Sequence, residues 1–404
     1  MSIAFRDLSP RPTILQVIPA LDTGGAERTT IDMAHAIVAA GGRALVASSG
    51  GRMLKELEAA GATHFEMDVH SKNPIIMALN VERLTRLAER EKVDLIHARS
   101  RAPGWSALAA ARRLHVPFVT TYHSKVHEAP RIKVFYNSVM ARGDAVIANS
   151  AYTAARIARI HAPDPARIFT VPRGIDTATF DEAAVPPERI AGLHRRWKAG
   201  GSGRTVFLLA ARLTRWKGQA VAVEAAAKLK AAGVENFELL LAGDAQGRDA
   251  YVSELEAKIA AEGLEEIVRI VGHCEDMPAA YALSDVVLAP SIEAEPFGRA
   301  SVEAQAMGRP VIVSDAGGQR ETVNAETGLA VPPGDADALA AAMRRLIDLG
   351  AEGRRAMGAR GRAHARAHYS LETMSRATLA VYAQLIADAR SHPRAGRRPR
   401  KKRG

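Results

Sequence analysis

Short apolar runs of strand length recur along the chain, and a stretch with helical spacing of apolar positions follows most of them. In the first half the runs are Thr13–Pro19, Ala44–Ser48, His64–Asp68, Val93–His97, Pro117–Thr121, Ala145–Ala148 and Ile168–Val171. Helical patterns lie near 26–40, 53–60, 74–90, 104–114, 131–142 and 151–161. Unbroken apolar runs of this length, alternating with helices, are the pattern of parallel strands covered on both faces. A second series starts at Thr205–Ala210 and continues through Phe237–Ala242, Val268–Val271, Val286–Ala289, Pro310–Ser314 and Gly328–Val331. Its helices are expected near 218–232, 249–262, 276–283, 298–307, 318–323 and 335–349, followed by 351–368 and 371–389. Between the two series, Pro186, Pro187, Gly200, Gly201 and Gly203 surround a short basic helix from Arg189 to Ala199. That punctuation reads as a linker that permits rigid-body motion.

The expectation is an α/β chain of two Rossmann-like, doubly wound domains with an interdomain cleft. The first domain is expected over 1–180, the linker over 181–204 and the second domain over 205–375. A final helix over 376–389 is expected, then a tail over 390–404.

Charge refines this picture at one end only. The chain of 404 residues carries a net charge of +11, and eight of those positive charges lie in Arg390–Gly404, which holds no acid. The tail therefore reads as disordered and basic, and the folded body is nearly neutral. A solubilising tail and attraction to an anionic membrane surface both fit it. Nucleic acid is not an expected partner, because no aromatic residue interleaves with the basic ones. Residues 1–12 contain Arg6 and Arg11 but no apolar segment, so no secretory leader is expected. No apolar run is long enough for a membrane span. Cys274 is the only cysteine, which excludes an intrachain disulfide and is consistent with a reducing, cytoplasmic setting.

Candidate chemistry gathers at strand ends. After Val286–Ala289 comes a loop with Glu293 and Glu295, then Pro296, Phe297 and Gly298 opening a helix that carries Glu303 and stops at Gly308. Proline suits a first helical turn, and the free N–H groups of Phe297 and Gly298 would face an anionic or hydroxyl-rich ligand. After Thr205–Ala210 comes a loop with Arg212, Arg215, Lys217 and Gly218. An Arg fork and a Lys point charge can neutralise a departing diphosphate, although cations on a surface loop need no such role. Gly24 and Gly25, between the first strand and helix, fit a tight turn or a close approach to a ligand. They are not Gly-x-Gly-x-x-Gly, which argues against a dehydrogenase fingerprint. Ser150 reads as a helix N-cap, and so does Asp335, whose Asp-x-Asp string with Asp337 opens a helix rather than forming a metal site. No other cluster has metal-ligand spacing, so no metal and no cofactor is expected.

Glu295 and Glu303, seven residues apart around Phe-Gly, followed by Gly-Arg-Pro-Val-Ile, resemble the signature of retaining glycosyltransferases of the GT-B fold, family 4 type. The Arg-Leu-x-x-x-Lys-Gly string at 212–218 matches that family's diphosphate-binding pattern. The resemblance covers roughly residues 13–385 and is strongest over 205–335. It implies that Arg212 and Lys217 bind the diphosphate, that Glu295 positions sugar hydroxyls and that Glu303 accepts from the ribose. It also implies that Gly24 and Gly25 face the donor and acceptor, and that Gly243, in its Ala-Gly-Asp turn, lies beside the nucleotide. His123, after the strand Pro117–Thr121, matches a histidine that contacts the donor sugar near the reaction centre. The stretch holding His273 lies against the base in the family; His273 and Cys274 depart from the common pattern and leave the base open. The strings Arg173–Asp176 and Asp315–Glu321 resemble cleft-edge loops.

The resemblance thus implies a hexosyltransferase-like, retaining enzyme that uses a nucleoside diphosphate sugar and needs no metal. Its acceptor would be a glycan or lipid-linked molecule, in lipopolysaccharide or other cell-surface glycan synthesis. A cytoplasmic protein, peripheral at the inner face of the plasma membrane, fits the basic tail. A same-fold nucleotide-sugar epimerase and a non-catalytic nucleotide-sugar-binding protein share these features.

Overall fold

The computed structural model describes residues 5, 8–22, 24–122, 130–199 and 203–392. Two parallel sheets organise the chain. The first is built from β1 (Thr13–Val17), β2 (Arg43–Ser48), β3 (Thr63–Glu66), β4 (Leu95–Ala98), β5 (Phe118–Tyr122), β6 (Ala145–Ala148) and β7 (Ile168–Thr170), in the order β3-β2-β1-β4-β5-β6-β7. The second is built from β8 (Thr205–Ala210), β9 (Phe237–Ala242), β10 (Val268–Gly272), β11 (Val286–Ala289), β12 (Val311–Ser314) and β13 (Gly328–Val331), in the order β10-β9-β8-β11-β12-β13. All pairs are parallel, so each connection must cross over a face of its sheet. The order reverses direction at β1/β4 in the first sheet and at β8/β11 in the second. Those reversals open a crevice at the carboxyl ends of the strands, where open α/β sheets bind ligands.

The chain divides into two compact units, residues 1–172 with 372–404, and residues 173–371. In the first unit, Leu15, Val17, Leu45 and Ile96 pack with Leu84, Leu87 and Ala110 of helices Pro74–Arg90 and Arg101–Leu114. The last helix, Leu371–Ser391, contributes the fully buried Tyr382 to this unit. The Tyr382 hydroxyl meets His97 Nδ1, and His97 Nε2 lies 2.8 Å from Thr121 Oγ1, so the buried ring is satisfied on both sides. Arg390 and Ser391, expected in the tail, belong to this helix. Arg390 pairs at 3.1 Å with Asp94, whose other oxygen accepts from the Thr13 N–H at 2.9 Å. A cation in the last turn complements the helix dipole, and the partner lets the helix run on. The rest of the expected tail, 393–404, lies outside the described residues.

In the second unit, β8, β9 and β11 are sandwiched between apolar faces of helices Gln219–Ala231 and Ala336–Asp348 on one side and Met277–Leu283 on the other. The expected linker, 181–204, is counted within this unit. Helix Pro187–Trp197 buries Leu193 and Trp197 in its core, and Arg189 pairs with Asp276. Asp181 accepts from Arg366 at 2.9 Å and Glu182 from Arg309 and Arg362. Proline and glycine punctuation marks the ends of this packed helix rather than a free connection.

Two expected helices are shorter than their patterns. The span 131–142 is helical only over Arg131–Asn137 and tightens to a 3-10 turn at Ser138–Ala141. The span 318–323 is reduced to a 3-10 turn at Arg320–Thr322, and the Gly318 N–H before it donates to the Glu295 carbonyl at 2.8 Å.

Helix Arg299–Ala306 is backed by helix Gly350–Tyr369 at a backbone-to-backbone approach. A Cβ on Gly358 would lie 1.8 Å from the Gly308 carbonyl oxygen. Alanine is favoured over glycine in a helix by ~1 kcal/mol, but overpacking against a backbone that cannot yield costs about 1–3 kcal/mol or more. Gly358→Ala is therefore expected to lower the melting temperature of the protein, against its helix propensity, in calorimetry.

Candidate active site

The loop after β8 is fastened to the loop after β11 by three contacts. Gly218 sits at φ +81°, and a Cβ there would lie 2.0 Å from the Pro290 carbonyl oxygen, so only glycine fits on both counts. The Ile292 N–H donates to the Trp216 carbonyl at 2.9 Å. Lys217 Nζ lies 2.9 Å from both carboxylate oxygens of Glu295. The loop after β9 joins them, since a Cβ on Gly243 would lie 1.9 Å from the Ala211 carbonyl oxygen. Three strand ends therefore converge on one place.

Within it the cations divide. Arg215 is engaged elsewhere, paired with Glu254 and placed over the Tyr251 ring. Arg212 is exposed, and its guanidinium has no partner among the described residues; its carbonyl accepts from the buried Gln219 side chain at 2.9 Å. Lys217 is mostly covered, with Nζ 4.4 Å from the Trp216 ring centroid. Glu295 is held from a second side by the hydroxyl of the buried Ser291. Its backbone pairs with Gly317, which ties the loop after β12 to the same place.

Helix Arg299–Ala306 follows, with Gly298 in the N-cap position and no side-chain cap. The expectation of Pro296 in the first helical turn is corrected: it precedes the cap by two residues, because residue 295 is still bridged to 317 as extended chain. The Phe297 ring is buried edge-on against Tyr369, so only its N–H is available to a ligand. The N–H groups of Phe297 and Gly298 have no partner among the described residues. Glu303 is buried on this helix. One of its oxygens accepts from Arg299 Nη2 at 2.7 Å and Nε at 3.1 Å, the other from the Tyr281 hydroxyl at 3.0 Å. Burial, and then the Glu303 carboxylate, hold the Tyr281 hydroxyl well above its usual pKa, so it stays a donor. A carboxylate has about four lone-pair sites, so Glu303 can still accept from a ligand hydroxyl.

Tyr281, Ser291 and Arg299 were not anticipated. Arg299 precedes Glu303 by one helical turn and was legible as an i,i+4 pair. Tyr281 and Ser291 carry no such signal in the sequence. His273 is exposed in the loop after β10, the edge strand of this sheet. Cys274 beside it is buried, and burial raises its thiol pKa. Gly24 and Gly25 lie in the first unit, where the helix Gly25–Ala39 begins after β1. His123 lies outside the described residues. Ser150 and Asp335 are N-caps, accepting from Thr153 N–H at 3.0 Å and Ala338 N–H at 2.8 Å. Among the described residues no three His, Cys, Asp or Glu side chains are grouped to hold a metal ion.

A doubly wound sheet whose switch point presents cations, an uncapped helix terminus and two carboxylates defines a class of nucleotide-sugar enzyme, and comparison with known proteins agrees. Residues 195–364 match the family described as glycosyl transferases group 1, and residues 23–179 match Glycosyltransferase Family 4. A D-inositol 3-phosphate glycosyltransferase of Xylanimonas cellulosilytica is 33% identical over 307 residues, 72% of either chain. A glycosyltransferase structure from Rickettsia africae superposes with TM-score 0.85 at 33% identity, over 93% of this chain and 99% of that one. The structure of Anabaena HepE in complex with UDP-glucose does so with TM-score 0.75 at 25% identity, over 94% and 99%. The chain belongs to the GT-B glycosyltransferases of this group and is a glycosyltransferase.

Two titrations check the geometry around β10. Cys274 is expected to resist a thiol reagent at mildly alkaline pH in the native protein and to react fully in denaturant. Asp276 is held below its ordinary 3.8, first by the Arg189 hydrogen bond, so its contribution to stability is present above that value and lost as pH falls through the lower folded one. Asp276→Asn is expected to flatten that acid limb in pH-dependent unfolding.

Proposed function

We propose that the protein transfers a sugar from a nucleoside diphosphate sugar to an acceptor hydroxyl with retention of anomeric configuration. The observation that carries this reading is the pairing of Lys217 with both oxygens of Glu295 beside the exposed Arg212 and the open N–H groups of Phe297 and Gly298. As the glycosidic bond breaks, negative charge develops on the diphosphate. In this reading Arg212, Lys217 and the helix terminus stabilise it, and preorganised donors act most strongly where water is scarce. Glu295 keeps free lone pairs for sugar hydroxyls while Ser291 and Lys217 fix its orientation. Glu303 takes the ribose hydroxyls. His123 is retained as a sugar contact on resemblance alone. The transition state is oxocarbenium-like with same-face displacement, and no general base is assigned.

The HepE structures with UDP, glucose and UDP-glucose support a UDP-sugar as the first donor to try. The relatives differ in acceptor by name, an inositol 3-phosphate glycosyltransferase and a 2-deoxystreptamine glucosyltransferase among them. The acceptor is therefore proposed only as a glycan or lipid-linked saccharide, in lipopolysaccharide or another cell-surface glycan. No helix among the described residues is long and apolar enough to cross a membrane. A peripheral cytoplasmic enzyme would be drawn to an anionic surface by the basic tail, each cation near the surface adding ~1 kcal/mol.

A donor panel of UDP-, GDP- and ADP-sugars, assayed with and without acceptor, tests the reaction; turnover without acceptor would instead indicate an epimerase. Lys217→Ala is expected to lower kcat by about 10²–10³, the usual loss for a transition-state donor. Glu303→Ala is expected to raise the KM for donor by about tenfold or more, since a hydrogen bond to a charged group is removed. Unchanged kinetics in Glu303→Ala would sink the ribose assignment. Side chains would carry the charge neutralisation, so turnover is expected to survive chelation with EDTA.

A further inference from the structure

Of the six large apolar side chains left exposed among the described residues, four gather on one part of the first unit. Ile75 and Leu79 lie one turn apart on helix Pro74–Arg90, 72% and 51% exposed. Ile132 and Phe135 share a face of helix Arg131–Asn137, 84% and 61% exposed. Helix Arg101–Leu114 joins the two pairs. Its Trp105 ring stacks on Phe135 at 5.4 Å, with Nε1 donating to the Tyr136 carbonyl at 3.1 Å. The next residue, Ser106, donates to the Met77 carbonyl at 3.0 Å. Apolar side chains scattered singly over a surface need no explanation, but a group fixed in place by three helices does.

The charge around this group has one sign. Between Asp94 and Asp144 no described residue is an acid (Glu128 lies outside the described residues). Arg131 and Lys133 flank Ile132 and are exposed. Arg142, also exposed, lies over the Trp105 and Phe135 rings at 5.2 and 5.7 Å from their centroids. Lys72 is exposed just ahead of Ile75. Such a combination matches a bilayer interface with negative headgroups, where apolar side chains reach the acyl boundary and cations stay among the phosphates. A second copy of the chain is a poor fit, because a two-fold interface would set the cationic rim against itself. The three helices start after β3, β4 and β5, so the group lies at the carboxyl edge of the parallel sheet, where its crevice opens.

We propose that this face docks onto an anionic phospholipid surface, with Ile75, Leu79, Ile132 and Phe135 entering the headgroup boundary and Arg131, Lys133 and Arg142 meeting lipid phosphates. This rests on the peripheral-membrane reading and adds to the basic tail an attachment built into the fold. A run of charge supplies attraction without orientation. A docked face also fixes which edge of the sheet meets the membrane. The crevice of the first unit is then held beside the surface in which a lipid-linked acceptor lies.

The test is sedimentation of the full chain with phosphatidylcholine vesicles, made with and without phosphatidylglycerol, and with brominated acyl chains that quench tryptophan on contact. Wild type is expected to bind the anionic vesicles and to be quenched through Trp105, since Trp197 and Trp216 belong to the second unit. Ile75→Ser/Ile132→Ser alters two exposed side chains, so the melting temperature is expected to stay as in wild type. Binding is expected to weaken at least about tenfold in that variant, and quenching to disappear. Sugar transfer to a soluble acceptor is expected to be unchanged in it, which keeps the donor chemistry separate. Binding by the double variant equal to wild type, or wild-type binding without quenching, overturns the proposal and leaves attachment to the tail alone. Equal binding to vesicles that lack phosphatidylglycerol overturns the anionic surface. A wild-type dimer that becomes a monomer in the double variant gives the face to a second copy and overturns the proposal as well. No binding to any vesicle removes it together with the peripheral-membrane reading.

Discussion

A lysine and a glutamate that meet across 78 residues of sequence fix the geometry of the second unit's site. As a contribution to stability the pair is modest. Exposed ion pairs are worth roughly 0–1 kcal/mol, and partial burial adds attraction and desolvation cost together. Its effect is orientational. With Nζ equidistant from both oxygens and Ser291 on one of them, neither Lys217 nor Glu295 can turn without losing a partner. The backbone of Glu295 carries Gly318 at the same time, so the loops after β8, β11 and β12 move as one body.

That pairing is possible only because the backbones beneath it touch. Gly218 against Pro290 and Gly243 against Ala211 leave no room for a side chain, so the loops close to a distance that a lysine and a glutamate can span. The sheet supplies the directions, since β8 and β11 are neighbours that run parallel while their connections leave on opposite courses. The sequence of causes runs from apolar strands, to the reversal of strand order, to glycine contacts, to the placement of charge.

Much of this was legible beforehand. Among the described residues the strand positions follow the expected runs, most clearly for the central strands, which are buried on both faces and leave no polar alternation to confuse them. The pairing of Arg212, Lys217 and Glu295 with one strand edge followed from their place after β8 and β11. What could not be read was which partners the carboxylates take. Tyr281 reaches Glu303 from a neighbouring helix on the same side of the sheet, and Ser291 reaches Glu295 through a loop bend that no period encodes. The packing of helix Pro187–Trp197 is hidden for a related reason: Gly and Pro mark where a helix ends and say nothing of what its face packs on.

The first unit is not continuous in sequence. Its buried Tyr382 meets His97 across 285 residues, and everything between 173 and 371 belongs to the other unit. During synthesis, which proceeds at about 5–20 residues per second and lets domains fold as they emerge, the two units cannot finish in the order in which they begin. The second unit has its whole sequence in hand once residue 371 has left the ribosome. The first must wait with His97 and Asp94 uncovered until the helix Leu371–Ser391 arrives. Its nascent form is thus the species a chaperone would meet, and the C-terminal helix is the step that releases it.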